Sequence, residues 1–331
     1  MSAVIFYLAT IVNYFFIYNI LAWGLNIQFG YAGILDFTYI TFMAVGAYVA
    51  GVTSLGPPQP GTGVVYILGW HLPFPIPILL GGLAAAALGL VVGLLAINRL
   101  RSDYLAIVTL SVGIILYSLV GNLTNLFDGF DGLVGVPEPL NGQVHLGVNT
   151  YTIFYMAVTG AVMVLLWFVA QRLLRSPLGR TMRAIREDVD VAEAFGKNTF
   201  RIRLWAMVIG CFYAGVGGAL LVGFVGAFSP DGWSTLETFI IWAILLIGGR
   251  GNNWGSVLGS FLVVAVLSEA TRYLPAIPNN AFLEPALRNM VIGAGLIVVL
   301  RFRPQGLLPE RKANFSEVRT AAPGLEASHA D

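Results

Sequence analysis

A single cysteine, Cys211, is all the thiol this 331-residue sequence carries, and it sits inside an apolar run. That excludes an internal disulfide and leaves no redox pair. Histidine is also scarce, at three: His71 and His145 each stand alone, with no second ligand at metal-binding spacing, so no metal site is expected. The lysines are Lys197 and Lys312, and neither is followed by Ser or Thr. A phosphate-binding loop of the form Gly-x-x-x-x-Gly-Lys-Ser/Thr is therefore absent, and any ATP must be hydrolysed by another chain. No Ser, His and Asp fall at spacings that suggest a catalytic triad. Charge is the largest deficit, at 11% of residues, against roughly 25% in an ordinary soluble domain. The formal net charge of +1 supplies no basic field for a nucleic acid.

Hydrocarbon fills the gap. Hydrophobic residues make up 57% of the chain and come in nine runs, near 3–22, 34–53, 76–98, 104–121, 151–171, 204–226, 236–249, 255–271 and 286–301. At 1.5 Å per residue, about 20 helical residues cross a hydrocarbon core of roughly 30 Å. The runs predict an all-α, polytopic integral membrane protein with about 8–10 transmembrane helices. The run at 236–249 is short and is expected to be a half-helix. The first run, "MSAVIFYLATIVNYFFIYNILAW", has neither a positively charged start nor a small-residue cleavage site, so it reads as a retained span. Residues 1–308 are expected to form one transmembrane domain with a charged loop at 172–203, followed by a polar tail at 309–331.

Basic residues orient the spans, because Lys and Arg accumulate on the cytoplasmic side. Alternating sides along the runs puts every one of the 18 basic residues inside except Arg272 and Arg288. Arg99, Arg101, Arg250, the loop 172–203 and the chain from Arg301 onward all share that side, with the N-terminus outside and the C-terminus cytoplasmic. The opposite side reads differently. The passage Asn122 to Thr150 has no Lys or Arg but carries Asp128, Asp131 and Glu138, and Gly56 to Pro77 has no Asp, Glu, Lys or Arg.

The charged passage "SPLGRTMRAIREDVDVAEAFGKN", from Ser176, breaks the greasy pattern. Ser176 is placed to cap a helix with Pro177 at its first position. Arg180, Arg183 and Arg186 recur every three residues, while Met182, Ile185, Val189 and Ala192 fall at helical spacing on another face. A shorter element follows: Asp190 and Glu193 have the spacing of a capping box and Gly196 is a suitable stop, which predicts a capped helix from Val191 to Phe195. Two readings stand. A run of basic residues after a span can be a topology anchor on anionic lipid. A compact, capped helix of mixed charge is built to sit in a groove of a cytoplasmic partner, and an anchor has no use for Glu193 or a Gly stop.

Asp36 is the only charged side chain before Arg99. An ionised group in hydrocarbon costs at least about 2.5 kcal/mol, so Asp36 either faces a cavity or partner or caps a helix at the interface. Glycines crowd the apolar runs in "GYAG" (Gly30, Gly33), "GAYVAG", "GVGGALLVGFVG" and "GGRG". Most serve close helix packing. Gly30–Gly33 and Gly248–Gly255 are the best candidates for broken helices, whose freed backbone groups bind the ends of an amino acid.

The charged passage resembles the cytoplasmic loop of the Liv-type branched-chain amino-acid permeases of ABC importers. Four further blocks resemble that family in order: "GYAGILDFTYITFMAVGAYVAG" from Gly30, "DGLVGVP" from Asp131, "GGRGNNWGSVLGS" from Gly248 and "FRPQGL" from Phe302. The loop length and the "DGL" block resemble the M-type of its two permease chains. Thr38-Tyr39 stand where other members have Gly-His. The resemblance implies a permease subunit, not an enzyme, in a bacterial inner membrane. It implies a second permease of the same family, two cytoplasmic subunits that use ATP and Mg, and a periplasmic or lipid-anchored substrate-binding protein. No cofactor is implied in this chain. Ala192, Glu193, Ala194 and Gly196 then match part of the Glu-Ala-Ala…Gly coupling loop of importers, with Arg183, Arg186 and Glu187 on the preceding helix. Gly30, Tyr31, Gly33, Asp36, Tyr39, Gly248 and Gly249 are candidates for the substrate pathway, and Asp128, Asp131 and Glu138 for docking the binding protein. A urea or short-amide permease shares these motifs. A self-sufficient secondary transporter using Asp36 and Glu269 is the rival of a different class.

Overall fold

The computed structural model describes residues 3–57, 65–97, 102–141, 147–267, 283–303 and 305–310. Arg99, Arg101, His145, Glu269, Arg272 and the tail beyond residue 310 lie outside the described residues. Each of the nine apolar runs contains a helix. These are α1 (Ala3–Leu25), α2 (Tyr39–Ser54), α3 (Ile76–Ala96), α4 (Ser102–Asn122), α6 (Val148–Arg175), α9 (Thr199–Val225), α10 (Thr235–Gly248), α11 (Asn253–Ser260) and α12 (Leu283–Phe302). The short helices α5 (Thr124–Phe127), α7 (Pro177–Glu187) and α8 (Val189–Ala194) lie between them. Among the described residues, six helical segments are long and apolar enough to cross a membrane, and three apolar helices are shorter.

Two of the runs depart from a regular α-helix. α1 widens into a π-helical turn over Asn26–Tyr31, and residues 33–38 are not helical, so α2 starts at Tyr39 rather than near 34. α11 likewise widens into a π-helical turn at Phe261–Leu267. In the first case Asn26 and Gln28 turn their amides onto other elements: Gln28 Nε2 donates to the Met207 carbonyl at 3.1 Å and Asn26 Nδ2 to Asn253 Oδ1 at 3.1 Å. Composition cannot show a helix being unwound by side chains that bond elsewhere.

α9 is the centre, packed against α1, α2 and α3. Small residues set the distances, as expected where association rests on van der Waals fit rather than exclusion of water. A Cβ on Gly218 would overlap the Met43 carbonyl, and one on Gly46 would overlap the backbone of Gly215. Tyr39, fully buried, ties two layers together by donating to the Leu21 carbonyl at 2.7 Å and lying 3.3 Å from that of Gly210. The outer helices carry large exposed apolar side chains such as Leu83, Ile107 and Phe168, the pattern of a surface that meets lipid.

The bundle has two unlike ends. One gathers the end of α1, the helices α7 and α8, the α10–α11 turn and residues 305–310. The other gathers the 66–74 loop, α5 and a two-residue antiparallel pair, β1 (Leu133–Val134) with β2 (Ala227–Phe228). There Tyr48 packs against Phe127, Phe228 and Trp233 with ring centroids 4.7, 5.1 and 6.3 Å away.

Candidate coupling site

α7 begins where Pro177 predicts, and its inward face is Gly179, Met182 and Ile185. Ser176 occupies the cap position but does not cap: its hydroxyl donates back to the Leu173 carbonyl at 2.5 Å. The arginines, three residues apart, drift around the helix. Arg180 is exposed, while Arg183 and Arg186 turn inward.

Arg186 is the hub. Its Nη2 donates to Glu310 Oε2 at 2.7 Å, and its Nη1 donates to the Gly30 carbonyl at the widened end of α1. Arg183 lies 3.5 Å from Glu310 Oε1, holds the Leu174 carbonyl at 3.2 Å and stands 5.2 Å over the Tyr31 ring. Two glycines make room. Gly33, at φ 69°, would put a Cβ 3.1 Å from Arg186 Cγ, and Gly251, at φ 76°, would put one 2.7 Å from Glu310 Oε2. The positive φ at both positions favours glycine, and the close side chains add to that preference.

The α10–α11 turn is bonded into the same cluster. Gly251 N donates to Asn26 Oδ1 at 2.9 Å, and Trp23 Nε1 to the Asn253 carbonyl at 3.1 Å. Residues 305–310 run alongside, with Leu307 N on the Ile247 carbonyl at 2.9 Å and Leu308 N on that of Gly248 at 3.0 Å. Gly249, at φ 116°, faces the Leu308 carbonyl. Arg186, Glu187, Arg250, Gln305 and Glu310 line a recess of about 330 Å³.

α8 starts two residues earlier than its acidic residues suggest. Asp188, not Asp190, is the cap, accepting from Val191 N at 3.0 Å, so helix runs from Val189 to Ala194. Asp188 is extended at φ −155° and ψ 116°, which interrupts α7 and breaks the shared apolar face. Ala192 is buried as expected, but Val189 is exposed. Glu193 does not close a capping box; it accepts from the Thr199 hydroxyl at the start of α9. Gly196 ends the element at φ 74° with open space around it. The tip carries Phe195, 79% exposed, beside exposed Val191.

Of the pathway candidates, Gly30, Tyr31 and Gly33 therefore lie against Arg183 or Arg186, while Gly248 and Gly249 lie against residues 305–308. Asp36 and Tyr39 lie apart from them. Asp36 is fully buried and is not the cap of α2, a position held by Thr38. Its Oδ1 accepts from Thr38 N at 2.9 Å and its carbonyl accepts from Trp242 Nε1 at 3.2 Å, while Oδ2 meets no partner among the described residues. Asp128, Asp131 and Glu138 sit at the other end: Asp128 closes α5 at φ 62°, Asp131 is exposed, and Glu138 accepts from Asn141. Sequence reasoning missed Phe195, Asn26 and Glu310. A lone aromatic beside a Gly stop in a charged segment was the available signal for Phe195. Glu310 falls in what reads as tail, yet the chain is attached at least that far.

Apolar helices stacked on glycine, two of them broken at one end, and a charged helix pair at that same end define a multi-pass membrane permease. The family model described as "Branched-chain amino acid transport system / permease component" matches residues 7–300, and the chain belongs to that family. It is 33% identical to the high-affinity branched-chain amino acid transport system permease protein LivM of Escherichia coli, over 94% of this chain and 72% of that one. It is 29% identical to the probable branched-chain amino acid transport permease protein LivM of Methanocaldococcus jannaschii, over 92% and 94%. Similarity to the high-affinity branched-chain amino acid transport system permease protein LivH of Salmonella typhimurium is lower, 26% over 88% and 91%. No solved structure matches the chain.

Proposed function

We propose that this permease is the M-type subunit of an ATP-driven importer of branched-chain and related hydrophobic amino acids, working by alternating access in a bacterial inner membrane. A second permease of the same family completes the pathway. Two cytoplasmic ATPase subunits use ATP and Mg, and one of them docks on α7 and α8 of this chain. A periplasmic or lipid-anchored binding protein delivers the amino acid at the opposite end, where Asp128, Asp131 and Glu138 meet its basic side chains. The C-terminus is cytoplasmic, because the arginine-rich end contains residues 305–310.

The observation that carries the reading is a continuous path of bonds. An exposed apolar tip at Phe195 stands on a helix pair whose base is bonded through Arg186 to Gly30 on α1 and to Glu310 beside α10. A partner that moves α7 as its nucleotide sites close thereby pulls on both broken helices at once. Guanidinium-to-carboxylate and guanidinium-to-carbonyl bonds are directional and partly exposed, so they can exchange as a set between two arrangements.

Purification of the intact assembly from native membranes in mild detergent, with mass spectrometry of every co-purifying chain, tests it. ATPase subunits that cross-link to a photoreactive residue at position 195 are expected. A chain that purifies alone, and moves amino acid in liposomes down an ion gradient, overturns the importer reading in favour of a secondary transporter.

A further inference from the structure

Away from the coupling cluster, a cleft of about 390 Å³ opens between α2, α4 and the start of α10. That volume falls in the roughly 300–1,000 Å³ range of small-ligand sites. One wall is aliphatic, from Ile40, Leu110 and Ile114. Another is aromatic: Phe37 stacks on Trp242 with centroids 5.0 Å apart, and Tyr117 meets Trp233 edge-on at 5.4 Å. At its far-end mouth lies the N-terminus of the 14-residue helix α10, where Ser234 makes no side-chain cap bond. One turn further in, Thr238, which also lines the cleft, is fully buried, and its hydroxyl meets no partner among the described residues.

A buried hydroxyl without a partner is destabilising, so its presence marks a place where a bound molecule can supply the bond. Glu237, the acid of the first turn, does not supply it, since its Oε2 accepts from Tyr18 on α1 at 3.0 Å. The cleft thus offers an anion-favouring helix start and a hydroxyl at one end, ring faces beside them, and an aliphatic slot beyond.

We propose that this cleft is a substrate subsite that takes a zwitterionic amino acid with an apolar side chain. The carboxylate meets the α10 N-terminus and the Thr238 hydroxyl, the ammonium lies on the faces of Tyr117 and Trp233, and the side chain fills the slot between Ile40, Leu110 and Ile114. This deepens the importer reading and rests on it. Gly113 sets the depth of the slot, since a Cβ there would come 3.3 Å from Thr41 Oγ1.

The test measures uptake of alanine, valine, leucine and phenylalanine by the complete transporter in cells, with membrane levels checked by immunoblot. Gly113→Val shortens the slot and is expected to lower leucine uptake about tenfold relative to alanine. Ile114→Ala lengthens it and is expected to raise phenylalanine relative to leucine. Thr238→Val is expected to raise KM about tenfold for every amino acid at unchanged maximal rate, and Thr238→Ser to restore it. Equal loss for all four substrates in both slot variants, or an unaltered KM in Thr238→Val, means that the cleft is packing or lipid space and overturns the assignment. If the wild type imports a short amide and no amino acid, the importer's substrate is wrong and the subsite falls with it. A leucine-importing wild type with unselective variants removes the subsite alone.

Discussion

The two ends of the bundle are held by different physics. At the far end, Tyr48 and its ring neighbours Phe127, Phe228 and Trp233 interlock around a two-residue strand pair, an arrangement of contact area with few alternatives of equal packing. At the arginine-rich end, Arg183, Arg186 and Glu310 hold broken helices through a handful of charged and backbone bonds. Removing one bond there frees groups that water can reach. One end is suited to staying put and the other to changing partners.

The comparison is tested most severely where packing dominates. Tyr48 is 3% exposed, and Tyr48→Ala deletes a ring from a filled site, a change that costs roughly 3–5 kcal/mol. Thermal unfolding of the purified complex is expected to show a large loss of stability, with residual transport in the surviving fraction coupled to ATP as in the wild type. Selective loss of coupling with normal stability would reverse the roles assigned to the two ends.

The second effect is smaller and differs in kind. Arg186 and Glu310 are 18% and 19% exposed in their side chains, so Arg186→Met strands a carboxylate and a carbonyl that are only partly hydrated, at about 2–3 kcal/mol. Glu310→Gln in the same chain removes the stranded charge. The double variant is expected to recover about 1–2 kcal/mol relative to the sum of the single changes, and to raise ATP hydrolysis without substrate by loosening α7 from α1. Strict additivity in a thermal-shift cycle would show that the pair does not act as a unit.

Much of this architecture could be read from the chain. Runs of about 20 apolar residues have few fates in lipid, and Arg183, Arg186, Arg250 and residues 305–310, which the arginine distribution puts on one side, meet at one end of the described bundle. The glycine blocks were legible as breaks. Their purpose was not, because Gly33 lies against Arg186, 153 positions later, and no local pattern carries that distance. The α8 cap was misplaced by two residues because Asp188 and Asp190 are chemically equivalent caps. What selects Asp188 is its extended backbone, which ends α7. Asp36 was undecidable for a similar reason: the turn at Thr38 and the indole of Trp242 that surround it come from folding, not from spacing.

The smallest change in stability is expected to give the sharpest change in function. Phe195 is 79% exposed, so Phe195→Asp leaves the permease itself within about 0.5 kcal/mol of the wild type, as for most surface substitutions. If α8 is the surface an ATPase grips, a carboxylate there must be desolvated against an apolar groove, at a cost of several kcal/mol that the interface cannot recover. Uptake should vanish and the ATPase subunits should dissociate during purification, while the two permeases stay together. Glu193→Arg is expected to act more mildly, since Glu193 bonds the Thr199 hydroxyl and its loss loosens the tip without repelling a partner. Normal uptake in both variants would remove α8 from the coupling path and leave the arginine cluster as an anchor that holds two broken helices closed without being driven by anything outside the membrane.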